Sequence, residues 1–280
     1  NASKEGEIMK QKKVYVVLIT GAILFSLLSV NLMVLGQSAS DIQTYKKFKN
    51  VSSGIFATGE LTYINKGKKL GTESYKLSKT NSGGVRLSAS GVVTPPIPIP
   101  FVKPKIKFNQ TIQVSKELKP LSLKLQYKGP LGIGNKKINI TVDGDQVKVD
   151  RGGKNSKKTL NSTNPFFLGT NSSQAIVALL LVVKDGPEQM TEILSGSTGP
   201  GGGEKGQITR GIKLKSIDSR KLKVNGNILE VDRFIYGEQK SKIEKAIYVK
   251  NGSFVAYQRL NAENPFYVYR SDLLGENFKL

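Results

Sequence analysis

The chain contains no cysteine and no histidine. Without cysteine no disulfide can cross-link it, so stability must come from packing and backbone pairing. Lacking both residues, it cannot build ordinary structural or catalytic zinc sites. Histidine triads and cysteine–histidine dyads are excluded as well. Acidic residues are also few: 21 Asp and Glu stand against 43 Lys and Arg, for a net charge of +22. So basic a surface suits an acidic partner, or lysines that keep a β-rich chain soluble and guard its strand edges. No catalytic signature occurs, and neither enzyme activity nor a cofactor is expected. The glycine-rich stretch GPGGGEKG (199–206) lacks the Lys-Ser/Thr and helix that follow a phosphate loop. The turn DGDQVKVD (143–150) offers too few oxygens at loop spacing for calcium.

What the chain does have is one long uncharged run, VYVVLITGAILFSLLSVNLMVLG, at residues 14–36. A run of roughly 18 or more apolar residues can span a bilayer as a helix. MKQKK precedes it and QSASD follows, so it reads equally as a retained anchor or a cleaved signal peptide. Lys10, Lys12 and Lys13 put the first 13 residues in the cytoplasm and the rest outside. The expected organisation is a cytoplasmic N-terminus (1–13), the apolar segment (14–36), a tether (37–53) and an exported β-rich domain (54–280). Residues 196–206 are expected to form a flexible glycine-rich loop within that domain.

The exported part alternates apolar and polar residues between turn signals. In LSLKLQYK (121–128), Leu121, Leu123, Leu125 and Tyr127 share one face, and Ser122, Lys124, Gln126 and Lys128 the other. Ile106 and Phe108 oppose Lys103, Lys105, Lys107 and Asn109; Ile138, Ile140 and Val142 oppose Asn139 and Thr141. A half-buried antiparallel sheet with one apolar and one basic face follows. Further strands are expected at 54–63, 70–79, 84–93, 207–216, 219–224, 227–236, 243–250, 253–260 and 266–270, connected mainly as a meander. Asp143-Gly144, Asn225-Gly226 and Asn251-Gly252 mark tight hairpins. The prolines of VTPPIPIPFVKP (93–104) interrupt the ladder.

One stretch breaks the alternation. NSSQAIVALLLVV (171–183) is apolar almost all round and reads as a buried helix, with a strand the alternative that its Val and Ile content leaves open. Pro187 opens a second short helix over roughly 187–195. The sheet's apolar face needs cover, and Ile176 and Leu180 of the first helix would meet it. A gap between the two would be an apolar pocket.

Six Asn-x-Ser/Thr sequons of the expected exported part, at Asn50, Asn109, Asn139, Asn161, Asn171 and Asn251, fall in loops or on polar faces, as surface glycosylation requires. Glu230 and Asp232 share a face as a carboxylate pair, with Arg233, Arg259 and Arg270 as expected ion-pair partners. The basic strands offer Phe101, Phe108 and Tyr127, but Phe108 and Tyr127 point to the apolar face, away from the lysines, which argues against nucleic acid.

In GIFATGELTYINKGKKLGTESYKL, the helix after NPFFLGTNSS and the closing hairpins ILEVDRFIY, KAIYVKNGSFVAYQRL and NPFYVYRSDLLG, the chain resembles uncharacterised exported families that share the lipoprotein-carrier (LolA/LolB-like) half-barrel. The resemblance implies a mainly β fold: a curved antiparallel sheet, or half-open barrel, clasping one or two helices. It implies a lipid-accepting concavity but transfers no site residue. The expected function is a cell-envelope binding protein, exported or membrane-anchored through residues 14–36. Leu121, Leu123, Leu125, Tyr127, Ile138 and Ile140 would hold a hydrophobic ligand, and the basic face would meet an anionic envelope polymer. The alternative is a structural or adhesive surface glycoprotein with a packed core.

Overall fold

A computed structural model describes residues 43–94, 104–132, 135–194, 208–238, 244–263 and 265–280. The 14–36 segment, Lys103 and the 196–206 loop lie outside them. Among the described residues no helix is long and apolar enough to cross a membrane.

The fold is mostly β: a large open curved sheet with few helices. Helix α1 (Thr44–Asn50) leads into β1 (Gly54–Asn65), β2 (Lys68–Lys79), β3 (Val85–Val93), β4 (Ile106–Val114) and β5 (Pro120–Lys128). A single 3-10 turn precedes β6 (Lys136–Asp143), β7 (Gln146–Asp150), β8 (Asn155–Thr159) and β9 (Pro165–Leu168). Helix α2 (Ser173–Val183) connects to β10 (Gln189–Leu194), β11 (Thr209–Val224), β12 (Asn227–Gly237), β13 (Glu244–Lys250), β14 (Ser253–Leu260) and β15 (Phe266–Arg270), and α3 (Ser271–Leu274) follows.

The 15 strands run in the order β8-β7-β6-β5-β4-β3-β2-β1-β15-β14-β13-β12-β11-β10-β9. First and last strands meet in the middle, and both edges come from mid-chain. That arrangement forces curvature. Laid flat, 15 strands at about 4.8 Å spacing would separate the edges by roughly 67 Å. Yet β8 ends at Thr159 and β9 begins at Pro165, a connection that spans at most about 22 Å. The sheet must therefore curl until its edges nearly meet. Accordingly β9 packs against β5, without pairing to it.

Every pairing is antiparallel except β9–β10. A parallel pair cannot be closed by a hairpin and needs a crossover. Helix α2 is that crossover, and the curl places it on the apolar face, against β9, β13 and β14. Its residues from Ser173 to Leu181 are buried. Burying five large apolar side chains at about 2 kcal/mol each makes this helix a major contributor to the core.

Turn chemistry follows the sequence. Asn225-Gly226 and Asn251-Gly252 adopt positive φ at both positions, as their hairpins require.

Several expectations are corrected. Leu121 is 46% exposed, whereas Leu123 and Leu125 are buried. Gln113 pairs with Ser122 and Val114 with Pro120, which leaves Leu121 as the extra residue of a bulge. A bulge resets the alternation. The helix expected over 187–195 is instead β10, hydrogen-bonded on both sides. Five of its six residues are buried, so it lacks the polar alternation that marks a half-exposed strand. The strands expected at 207–216 and 219–224 are one continuous strand, β11. Within the expected tether, Thr44–Asn50 is helical, and Tyr45, Phe48 and Val51 pack on the core.

A second apolar cluster lies on the opposite face of the sheet. Ile64, Val231, Ile235, Tyr248 and Tyr269 are covered there by Leu273, Phe278 and Leu280.

Candidate functional site

Of the residues expected to line an apolar pocket, Leu123, Leu125, Ile138, Ile140, Ile176 and Leu180 are buried in one core cluster, each at most 4% exposed. Tyr127 is half-buried and packs at its margin, its ring 6.0 Å from that of Phe108. Leu121 lies outside the group.

Polar groups fix the helix to the sheet. Glu73 projects from β2 into the core and is 2% exposed. Its carboxylate accepts from the hydroxyls of Tyr63 and Thr170, and from the Ser172 backbone N–H at 3.2 Å. Gln110, from β4, accepts from the Thr170 N–H at 2.6 Å and donates to the Ser172 hydroxyl at 3.3 Å. No side chain of the helix's own segment caps α2. The acceptor comes instead from the sheet, about one hundred residues earlier. A carboxylate beside the first turn also faces the positive end of the helix dipole. Burial raises the Glu73 carboxyl above its ordinary value, against the hydrogen bonds that favour its charged form. Burial, and then the neighbouring Glu73 charge, also push the Tyr63 hydroxyl well up.

Both anchors escaped the reading of the sequence, although a signal was present. Glu73 keeps step with Tyr75 and Leu77, and Gln110 with Ile106, Phe108 and Ile112. A polar residue on the apolar parity of a strand must find partners inside.

A second buried ionic group lies across the sheet. Glu192, on β10, is 1% exposed and pairs with Arg210 at 2.5 Å and with Lys245. Arg210 also reaches Glu238 at 2.7 Å. Burial acts to raise the Glu192 carboxyl, but Lys245 and Arg210 together outweigh it and hold it below its ordinary value.

The lysine face points to solvent. Lys105, Lys107, Lys124 and Lys128 are exposed, and Lys107 pairs directly across the ladder with Lys128. An open groove of about 700 Å³ runs along this face, lined in part by Ser74, Ser90, Lys107, Asn109 and Lys128, with Glu60 and Glu276 also in its wall.

The expected carboxylate pair does not assemble with its arginines. Glu230 sits 3.4 Å from Lys221, both exposed. Arg233 binds Asp218 instead. Arg270 makes a two-point contact with Asp272 at 2.8 and 2.6 Å and also donates to Tyr75 and Ser253. Asp232 is exposed. Among the described residues no group of three acidic side chains could hold a metal ion.

Of the sequon asparagines, Asn50, Asn109, Asn161 and Asn251 are exposed. Asn139 is half-buried and donates to Asp150 at 3.4 Å. Asn171 is also half-buried, with its side chain bonded to the Tyr63 hydroxyl.

No family model matches the chain, and no curated protein matches it. Among solved structures it is similar to a beta-barrel-like protein of a domain of unknown function, DUF1849, from Brucella abortus. That alignment has a TM-score of 0.47 and 8% identity, covering 76% of this chain and 94% of the other. A likeness that weak is one of outline and carries over no property.

Proposed function

We propose that the chain is an extracytoplasmic cell-envelope protein, exported or anchored through residues 14–36, built on the half-barrel architecture of lipoprotein carriers. In this variant the space for an acyl chain is taken by α2. The module then serves as a structural or adhesive scaffold and meets its surroundings through its outer face.

The observation that carries the reading is the filled interior. Leu123, Ile138, Ile140, Leu179 and Leu181 are each fully buried around the helix. The Glu73 and Gln110 bonds hold the N-terminus of that helix against β2 and β4. Displacing the plug for a lipid would expose its apolar surface at about 25 cal/mol per Å². It would also orphan several buried hydrogen-bonding groups. The exposed asparagines Asn50, Asn161 and Asn251 lie outside the ladder's pairing positions, where a glycan meets no core.

Native mass spectrometry tests the proposal on the chain from Gln43 onward, which forms one compact unit. The expected result is the bare protein mass, with or without glycans, and no uptake of a fluorescent fatty acid. A co-purifying lipid in stoichiometric amount would return the function to lipid carriage.

A further inference from the structure

The outward residues of β2–β7 form rows across the ladder. One row runs Ser74, Ser90, Asn109, Gln126, Lys137 by direct pairing of successive strands. On one side of it Lys107 stands opposite Lys128. On the other, Thr111 pairs with Lys124, and Lys124 with Asn139. From Ser74 to Gln126 the row is a band of neutral hydrogen-bonding side chains, ended by Lys137 and with lysines on either side.

Three features make this face unusual for a plain solvated surface. Like charges directly opposite on neighbouring strands destabilise a sheet, yet Lys107 and Lys128 stand as such a pair. Among the described residues none of Lys76, Lys107, Lys124, Lys128, Lys137 and Lys148 enters an ion pair. The outward side chains of β2–β7 also include no aromatic ring. Base stacking is therefore unsupported, and so is aromatic insertion into a membrane interface.

We infer that this face binds an acidic polysaccharide, a hydroxyl-rich chain carrying carboxylates, laid along the groove of about 700 Å³. The lysine ammonium groups match the carboxylates. Ser74, Ser90 and Asn109 in the groove wall, with Gln126 next in the row beside Asn109, supply the donors and acceptors that sugar hydroxyls need. Glu60 and Glu276 also stand in the groove wall, and the charge of Glu276 is met by Lys69 at 3.0 Å. The inference rests on the extracytoplasmic placement proposed above, since that is where such polymers occur. It does not depend on the filled interior.

The test uses the full chain in neutral detergent, from a host without N-glycosylation, because a glycan on Asn109 would cover the row. Polygalacturonate is expected to bind at about 0.1 M salt, and at least tenfold more weakly at about 0.5 M, where charges are screened over a shorter distance. Dextran is expected not to bind. Reversal of the exposed pair, Lys107→Glu with Lys128→Glu, is expected to weaken binding at least tenfold, while Lys221→Glu with Lys223→Glu on β11 changes it less than twofold. Asn109→Ala with Gln126→Ala is expected to weaken polygalacturonate at least threefold without affecting polyphosphate. The inference is overturned by absent polygalacturonate binding, by equal losses in the two charge reversals, or by preference for anionic lipid vesicles. Equal sensitivity of polyphosphate to the neutral substitutions overturns it too. A lipid found in the interior would refute the scaffold reading and leave these outcomes unchanged.

Discussion

Removing the Glu73 side chain isolates the link between sheet and plug. In Glu73→Ala, the Tyr63 hydroxyl, the Thr170 hydroxyl and the Ser172 N–H all lose their acceptor. A buried polar group left unsatisfied costs about 1–3 kcal/mol. Thr170 can turn to the Ser172 hydroxyl, 3.1 Å away, whereas Tyr63 keeps only the bond it accepts from Asn171, and its own O–H is left without its acceptor. The Ser172 N–H has no such recourse. The expected loss is therefore about 2–5 kcal/mol, or roughly 5–15 °C in Tm for a chain of this size. Glu73→Gln behaves differently. Its carbonyl can accept from Tyr63 and Ser172, and its amide can donate to the Thr170 oxygen, so the expected change at pH 7 is below about 1 kcal/mol. The pH profile separates charge from shape. Because the folded carboxyl is raised above its ordinary 4.5, the folded chain holds this proton to higher pH than the unfolded chain. The stability it contributes is complete below the unfolded value and is lost as pH rises through the folded one. Urea midpoints from pH 4 to 8 should show wild type losing stability relative to Glu73→Gln across that window. If Gln were as damaging as Ala, or Ala cost less than about 0.5 kcal/mol, the network would not be what seats the helix.

Other substitutions probe the rest of the fold. Leu123→Ala should cost about 2–5 kcal/mol in urea unfolding, whereas Leu121→Ala at the bulge should stay within about 0.5 kcal/mol; equal costs would refute the bulge. Glu192→Ala leaves Arg210 and Lys245 facing each other inside and should cost about 3–5 kcal/mol. With its carboxyl held low, Glu192 stabilises above its unfolded value, and that contribution is lost as pH falls through the folded one. An acid-unfolding midpoint unchanged in Glu192→Gln would contradict this. Gly91→Ala puts a methyl 2.4 Å from the Thr72 carbonyl oxygen and 2.6 Å from Phe108, so a loss of about 1–3 kcal/mol is expected in thermal melts; an unchanged Tm would show that the strands can part there.

Much of the ladder was legible because its signals are local. Leu123, Lys124 and Leu125 alternate within one strand, and Asn225-Gly226 needs only its own dihedrals to turn. The misread segment was QMTEIL. Its strand state depends on β9 and β11 reaching it from either side, and Pro187 imitates a helix start. Leu121 was misplaced because a bulge is a property of two strands, and β5 alone carries no sign of it. Glu73 and Gln110 were passed over because their partners, Thr170 and Ser172, lie 60 or more residues away. Asp218 and Asp272 took two of the arginines expected to serve Glu230 and Asp232, Arg233 and Arg270, for a related reason: spacing says which residues share a face, not which neighbour arrives first.

The sequence by itself determined that the domain is β-rich, basic and free of cysteine and histidine, with one helix apolar all round. Composition and the two-residue period are written into the chain directly. Only the tertiary structure decided that β1 pairs with β15, that a short connection draws β8 and β9 together, and that the resulting curl wraps the sheet around α2. Those features arise from contacts between residues far apart in the chain, whose energies exist only once the sheet has closed on its plug.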